Sequence, residues 1–444
     1  MEGARIGILL GAGRAHAALV GGPAGGGEVR HATGPNASER VLARMLRDLA
    51  GGARVASVTW DVAAELDPAL AGTPVAAVRI VPRPPAAGLG SGHPSPLLRA
   101  LQARRGAVVG GHDLFGVELA PLDVYAVLAE CAAARDIPAL AVTASGAPGC
   151  ADHELAAAEL IYDTRPDARV SLSHQVGGLG LLDREAATVI NAALLARAAE
   201  LAERCVRVGE LVGPQVSTWF AAGDGGRVSA ERLRLLPVLA LSASEAVALT
   251  GAARLAGAAD ALVGLALPDA LAVGHVAGGL PEVTVDRPGP GGVRMAIPTA
   301  SLTRLPGPPA ASAAAFALLA EHEPRPAVVA AMRGGEAAER ARAAAARLPA
   351  PEGMVLPGGE LAAVGAACTE PTAWLDSVVY AESGEELERQ RGIAEQRALT
   401  LVAESGARLG SERVVSSRAV SMSFLRSGSY RLMVRAGGEA GESA

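Results

Sequence analysis

Short apolar runs broken by glycine alternate with longer stretches in which apolar residues recur at helical spacing, and this alternation predicts an α/β protein. The run Arg5 to Leu10 reads as a buried strand, and Gly11 to Gly13 turn it back into a second strand over Ala17 to Val20. Helical spacing predicts a helix over Val41 to Leu49, and Val55 to Thr59 is again strand-like. A helix over Tyr125 to Arg135 precedes a strand over Ala139 to Thr143, and the long apolar-periodic stretch Ala187 to Val208 predicts a further helix. Near the end, Glu385 to Ser405 predicts a helix with Glu and Arg on its exposed face. Two alternating runs follow, Val414 to Leu425 and Tyr430 to Arg435, joined as a hairpin at Arg426 to Ser429. The apolar openings at Arg5 and at Asp260 are candidates for equivalent strands in two halves of a pseudo-symmetric fold.

Elsewhere composition predicts connections. Prolines and glycines dominate between Ile80 and Pro96, and the segment Asp286 to Pro309 reads as an exposed linker or remodelled loop, about 286–310. The tail after Gly437, residues 438–444, is expected to be disordered.

A chain of 444 residues supports two or three buried cores. Its residues are 50% hydrophobic but only 2% aromatic, so Ala, Val and Leu must fill the interior rather than large rings. All 40 basic residues are arginine. Without lysine there is no Schiff base to pyridoxal phosphate, no phosphate-loop lysine and no lysine general base, and arginine stays protonated at any working pH. A net charge of −6 with no basic block excludes an electrostatic footprint for nucleic acid. Cys131, Cys150, Cys205 and Cys368 lie far apart, as thiols in a reducing compartment do. Glu2 and Arg5 precede a short apolar run that breaks at Gly11, so neither a signal peptide nor a membrane anchor is expected, and a cytoplasmic location is.

Several polar residues are candidates for chemistry. His174 precedes a glycine turn, with Arg184, Glu185 and Asn191 on the helix side. They form either a substrate- or subunit-facing pocket in which a histidine exchanges protons near neutral pH, or a set of caps that buttress the helix. Asp224, in Gly-Asp-Gly, joins them as a pocket candidate or acts as a turn former. His112 beside Asp113 is a metal-ligand candidate or a turn residue, with no further ligand near in sequence. Ser173 adjoins His174, but no nucleophile elbow occurs, and adjacent side chains on a strand point to opposite faces. The stretch Leu9 to Ala17 also resembles a dinucleotide fingerprint, although His16 falls where close helix packing needs glycine or alanine.

The stretch Val170 to Leu195, VSLSHQVGGLGLLDREAATVINAALL, resembles the signature of the hydantoinase A / 5-oxoprolinase family, which runs roughly Ser-His-Glu, a glycine turn, Gly-Leu-Leu-Glu-Arg-Glu-Asn, then Asn-Ala-Ala-Leu. Gly110 to Asp123 (GGHDLFGVELAPLD) is similar to its Gly-Gly-His and Ala-Pro-Leu-Asp segment, and Gly223 to Glu231 to its Asn-Asp-Gly turn. Gly358 to Ala367 stands in the place of its final glycine motif. The resemblance covers essentially the whole chain, shortened between about Thr303 and Val355. It implies an actin-like ATPase (ribonuclease H-like) architecture of two lobes, with mixed sheets flanked by helices. The expected divisions are an N-terminal-like domain over 1–170, a hydantoinase A-like domain over 171–380, and a C-terminal helix plus β-hairpin over 381–437. The implied activity is ATP-dependent opening of cyclic amides such as hydantoins or 5-oxoproline, with ATP and magnesium as cofactors. A small cyclic amide and a hydantoinase B-like subunit are the implied partners; related carboxylases use a similar subunit.

The family's phosphate loops read Asp-x-Gly-Gly-Thr-x-Thr-Asp: glycines admit phosphate, threonine hydroxyls donate to it, and aspartates orient magnesium. Here the first leading aspartate falls on Leu9, the glycine run on Gly11, Ala12 and Gly13, and the closing pair on Ala15 and His16. In the second loop Leu265 takes the leading position, Leu267 and Pro268 the glycines, Asp269 a threonine and Ala272 the closing aspartate. Gly11, Gly13, Gly358 and Gly359 remain as remnants. The expectation is therefore a member that has lost ATP–Mg binding and uses no cofactor, as a non-catalytic or regulatory subunit. The alternatives are an active cyclic-amide hydrolase with atypical or no nucleotide use, and a dinucleotide-binding protein.

Overall fold

In the computed structural model, which describes residues 3–21, 29–85, 95–348, 353–355 and 357–441, the opening strand β1 (Ala4–Gly11) lies inside a sheet, with Ile6, Ile8 and Leu10 buried. Ala12 and Gly13 make the turn into β2 (Arg14–Val20), with Gly13 at φ 73°. That is an antiparallel hairpin, not the strand-to-helix turn a dinucleotide fingerprint requires, and it overturns that alternative. β3 (Val29–Pro35) follows antiparallel, then α1 (Glu39–Ala50) buries Leu42, Leu46 and Leu49 and ends at Gly51 in the left-handed region. β4 (Val55–Asp61) returns parallel to β1.

Beyond α2 (Pro68–Ala71) the chain builds a second, all-parallel sheet: β5 (Val75–Val81), α3 (Pro96–Leu101), β6 (Gln102–Val109), α4 (Val124–Ala133), β7 (Ala139–Ala144), α5 (Asp152–Thr164) and β8 (Arg169–Leu172), in the order β6-β5-β7-β8. Every residue of β7 is buried, as in a strand covered on both faces. After the single turn α6 (Ser173–Val176), α7 (Leu181–Val212) runs between this sheet and the first, so that Arg184 to Leu195 are buried on every side. β9 (Ser217–Ala221) and β10 (Arg227–Ser229) complete the first sheet as β10-β9-β4-β1-β2-β3.

The second half repeats the opening. After α8 (Ala230–Leu235) and α9 (Ala243–Ala256), β11 (Ala261–Ala266) turns tightly into antiparallel β12 (Ala270–Ala277) and pairs in parallel with a later strand, as β1 does with β2 and β4. β13 (Leu280–Pro281) follows, and β14 (Val283–Thr284) pairs with β15 (Thr299–Ala300) apart from the sheet. β16 (Thr303–Pro306), α10 (Pro309–Glu321), β17 (Ala327–Ala331), α11 (Glu336–Ala345) and β18 (Gly353–Val355) then give the order β13-β12-β11-β17-β18, with β16 also on β12. The equivalence of the Arg5 and Asp260 openings, and the actin-like two-lobed plan, are thereby realised. α12 (Leu361–Cys368) packs between β1 and α9 at the junction of the lobes. Glycine makes this possible. A Cβ on Gly7 would lie 2.0 Å from the Ala363 carbonyl, and one on Gly365 would lie 1.8 Å from that of Val247. β19 (Thr372–Tyr380), α13 (Gly384–Glu404), β20 (Arg413–Ser421) and β21 (Ser429–Gly437) form a C-terminal sheet in the order β19-β21-β20, backed by α13.

Three expectations are corrected. The Pro- and Gly-rich segment 286–309 is exposed at 303–304 and 306–309 but not throughout. Val293, Met295 and Ile297 enter the main core, so alternation of apolar residues outweighed composition. Residues 438–441 are held: Gly438 N–H donates to Pro371 (3.2 Å), Gly441 N–H to Gly406 (3.1 Å), and Glu439 pairs with Arg408; 442–444 lie outside the described residues. Of the connection expected over Ile80 to Pro96, Ile80 and Val81 belong to β5, Pro96 opens α3, and 86–94 lie outside the described residues. Among the described residues no helix is long and apolar enough to cross a membrane.

Candidate functional site

Parallel strands deliver their following loops to one edge, and in open α/β sheets that carboxyl edge is where ligands bind. Here it collects Gly110 to His112 after β6, Ser145 and Gly146 after β7, Ser173 and His174 after β8, and the first turn of α5 with His153 and Glu154. Glu154 is the hub. Its Oε1 accepts the Ala144 N–H (2.7 Å) and the Ser173 hydroxyl, and its Oε2 accepts the His174 N–H (2.9 Å) and the His174 ring at Nδ1 (2.7 Å). With Nδ1 donating to a carboxylate, the imidazole presents Nε2 as its free acceptor. Glu154 is fully buried, whereas the His174 side chain is 21% exposed.

Arg184 closes the site from beneath. Its guanidinium donates to Ser173 Oγ (2.9 Å) and to the carbonyls of Gly178 (3.1 Å), Leu179 (3.1 Å) and Ala144 (2.6 Å). Burial pulls its pKa below the usual arginine range, and the charge of Glu154 opposes that shift. Gly177 and Gly178 adopt φ of 91° and 92°, and Ala296, itself at φ 52°, packs on Gly178. Ser173 and His174 reach the same carboxylate because β8 stops at Leu172 and both lie on a helical turn, which corrects the expectation that their side chains diverge. Ser173 is fully buried and bonded on both sides, so it is no nucleophile.

His112 lies at the same edge, its ring 4.3 Å from that of His153. His153 Nδ1 accepts the Gly111 N–H (2.7 Å), so its Nε2 donates to Glu118 (3.1 Å). Asp113 spends its Oδ1 on the N–H groups of Phe115 (2.8 Å) and Val117 (2.9 Å), the work of a turn residue. Among the described residues no three His, Cys, Asp or Glu side chains are grouped to hold a metal. Arg426 of the C-terminal hairpin stacks on Phe115 (4.4 Å) and Tyr380 (4.0 Å), tying this loop to the last sheet.

The remaining candidates lie elsewhere. Glu185 pairs with Arg79 and with Arg105 (3.4 Å). Asn191 donates to Ser171 (3.0 Å) and to the Leu235 carbonyl (2.9 Å), and accepts from Val238 N–H (3.3 Å). Both buttress α7. Asp224 accepts from Gly226 N–H (3.0 Å) and from the Thr372 hydroxyl (2.8 Å), with Arg435 3.6 Å away, at a buried joint between the first lobe and the C-terminal sheet. His174 and Arg184 are thus brought together, and Glu185, Asn191 and Asp224 are not. Sequence reasoning missed Glu154 and His153, although Asp-His-Glu opening a helix after a buried strand is a recognisable carboxyl-edge signal.

At the junction of the lobes lie the turns after β1 and β11, the two positions aligned above with phosphate loops. Leu9 packs into the inter-lobe apolar cluster, and Leu265 is fully buried. Leu267 N–H is spent on the Ala270 carbonyl (2.9 Å), and Pro268 has no N–H. The carbonyls of Leu267 (3.0 Å) and Pro268 (3.0 Å) are bound by Arg340, which also holds Gly307 (2.8 Å) and Ser312 (2.9 Å). Gly358 and Gly359 pack on the ring of His31. Asp269 is exposed in the second turn, and Asp61, beside Leu9 in the sheet, is fully buried, with Oδ1 on Ala63 N–H (3.1 Å) and Oδ2 unpartnered. Burial raises its pKa to about 6, against hydrogen bonds from Ser244 and Ala63. A magnesium-bound triphosphate needs amide donors at both turns and acids at the leading positions, and a spent Leu267 N–H, a proline and two leucines do not fit it.

No protein-family model matches the chain, and no curated protein does. Solved structures match in fold. The nucleotide-free structure of acetone carboxylase, described for its mechanism of ATP-dependent acetone carboxylation, aligns with a TM-score of 0.67 at 9% identity, over 100% of this chain and 89% of that one. The ATP-dependent caprolactamase from Pseudomonas jessenii aligns with a TM-score of 0.67 at 13% identity, over 97% of this chain and 87% of that one. The chain shares the fold of these two structures over nearly its whole length.

Proposed function

We propose that this chain is a hydantoinase/oxoprolinase-type protein that has given up ATP–Mg binding and acts as a non-catalytic or regulatory subunit, with a hydantoinase B-like chain as its partner. The observation that carries the reading is the second turn, whose carbonyls face inward onto Arg340 and whose glycine positions hold Leu267 and Pro268. A loop fixed that way offers phosphate a blocked face, and the leucines at both leading positions offer magnesium nothing. Titration calorimetry with ATP and magnesium is expected to show no binding. A dissociation constant in the micromolar range would overturn the proposal.

The pair of Glu154 and His174 favours a second reading, a cyclic-amide hydrolase that needs no nucleotide. In it Glu154 orients the imidazole and Nε2 takes a proton from water as the oxygen adds to the amide carbonyl. The C–N bond then breaks as the ring nitrogen receives that proton. Under the first reading, purified protein leaves hydantoin and 5-oxoproline intact with or without ATP. Ring opening without ATP, abolished in His174→Ala, would put the second reading in its place.

A further inference from the structure

β3 is the last strand of the first sheet, and among the described residues no strand pairs with its outer edge. In an antiparallel pair every second residue of an edge strand turns its N–H and C=O away from its partner, which leaves a template for another extended chain. Edges of this kind are ordinarily blunted by a bulge, by charge or by proline. β3 pairs with β2 from Val29 to Pro35 without a register shift, and its one proline stands at the very end.

The face of β3 toward α1 is unusually low. Arg30, Ala32 and Gly34 alternate on it, while His31 lies under Gly358 and Gly359 and Thr33 bonds His16 on the other side. An open groove of about 730 Å³ runs between strand and helix, lined by residues 30–34 of β3, and Val41, Met45 and Leu49, one turn apart on α1, form its far wall. Val41 is 41% exposed, although it belongs to the apolar stripe of its helix. The charge of the groove is not balanced. Arg44 and Asp48 pair loosely at 3.7 Å with both side chains exposed, but Arg30 donates to the Ala50 carbonyl (2.9 Å) and meets no carboxylate among the described residues.

We propose that this groove binds an extended acidic peptide segment of a partner protein, which adds to β3 as one more strand and lies against α1. The free edge selects an extended backbone, since only that conformation presents N–H and C=O at the strand spacing. Val41 and the flexible Met45 side chain, whose sulfur lies over Gly34, form the apolar wall that a side chain of the segment meets. Arg30 and Arg44 then receive its carboxylates, which fixes the sign of the charge the partner must carry. Neither the lobe junction nor the His174 site takes part, so the surface stands whether or not the protein binds nucleotide.

The test uses the full chain and a fluorescein-labelled peptide, acetyl-Thr-Glu-Val-Thr-Val-Glu-Val-Thr-amide, read by anisotropy. Saturable binding is expected, at least tenfold weaker for Arg44→Glu and for Gly34→Val, and lost when alternate peptide amides are N-methylated. Arg44 is exposed and Gly34 has an ordinary φ with only the flexible Met45 sulfur near its added Cβ, so both variants should fold, which circular dichroism checks. No saturation up to millimolar peptide would overturn the proposal, as would equal binding of a peptide with lysine in place of glutamate. A dimer in sedimentation equilibrium that Gly34→Val dissociates would overturn it in favour of a second copy on the same edge.

Discussion

Asp61→Asn is expected to stabilise the protein at pH 8 by about 2–3 kcal/mol and to change little near pH 4. The folded state holds the Asp61 carboxyl at about 6, above its ordinary value of 3.8, because burial penalises the charge. Below the ordinary value both states are protonated, and the acid carries no penalty. Between the two values the unfolded chain releases its proton while the folded chain keeps it, so stability falls as pH rises, and above about 6 the loss is complete. Roughly two pH units at ~1.4 kcal/mol each set the magnitude. Asparagine keeps the acceptor for Ala63 and cannot ionise. Chemical denaturation of both proteins at pH 4 and pH 8 measures the effect, and an equal loss at both pH values would mean that Oδ2 has a partner the variant removes.

Arg340→Ala is expected to cost more, about 3–5 kcal/mol. Arg340 is 4% exposed, and its guanidinium satisfies three carbonyls and a hydroxyl from three segments: the β11–β12 turn, Gly307 and α10. Truncation leaves those acceptors buried without donors and opens a cavity the size of an arginine. Arg340→Lys should recover only part of the loss, because one ammonium cannot reach acceptors spread around a planar fork. Denaturant midpoints of the three proteins decide it; a cost below about 1 kcal/mol for the alanine variant would show that water replaces the guanidinium at the turn.

Much of the architecture was legible because burial imposes periodicity. The hairpin at Gly11 to Gly13, the helix through Ala187 to Val208 and the paired openings at Arg5 and Asp260 all follow from apolar spacing. Segment 286–309 misled because proline and glycine dominate its composition, whereas its placement depends on the three alternating side chains Val293, Met295 and Ile297. The candidate site was legible in part. His174 and Arg184 stand in one recognisable stretch, but Glu154, which joins them, comes from a helix about twenty residues earlier, whose Asp-His-Glu opening marks a carboxyl edge without naming the side chains it meets there. Asp224 and Asn191 show the converse: their polar character reports buried hydrogen bonds between distant segments, a role that sequence reading does not separate from chemistry.

The glycine contacts among β1, α12 and α9 bear on how the halves can move. Backbone meets backbone there, at Gly7 and Ala363 and at Gly365 and Val247, with no side chain between at those two points. A slide at these two points drives backbone into backbone, so rotation about them is the relative motion expected of the halves.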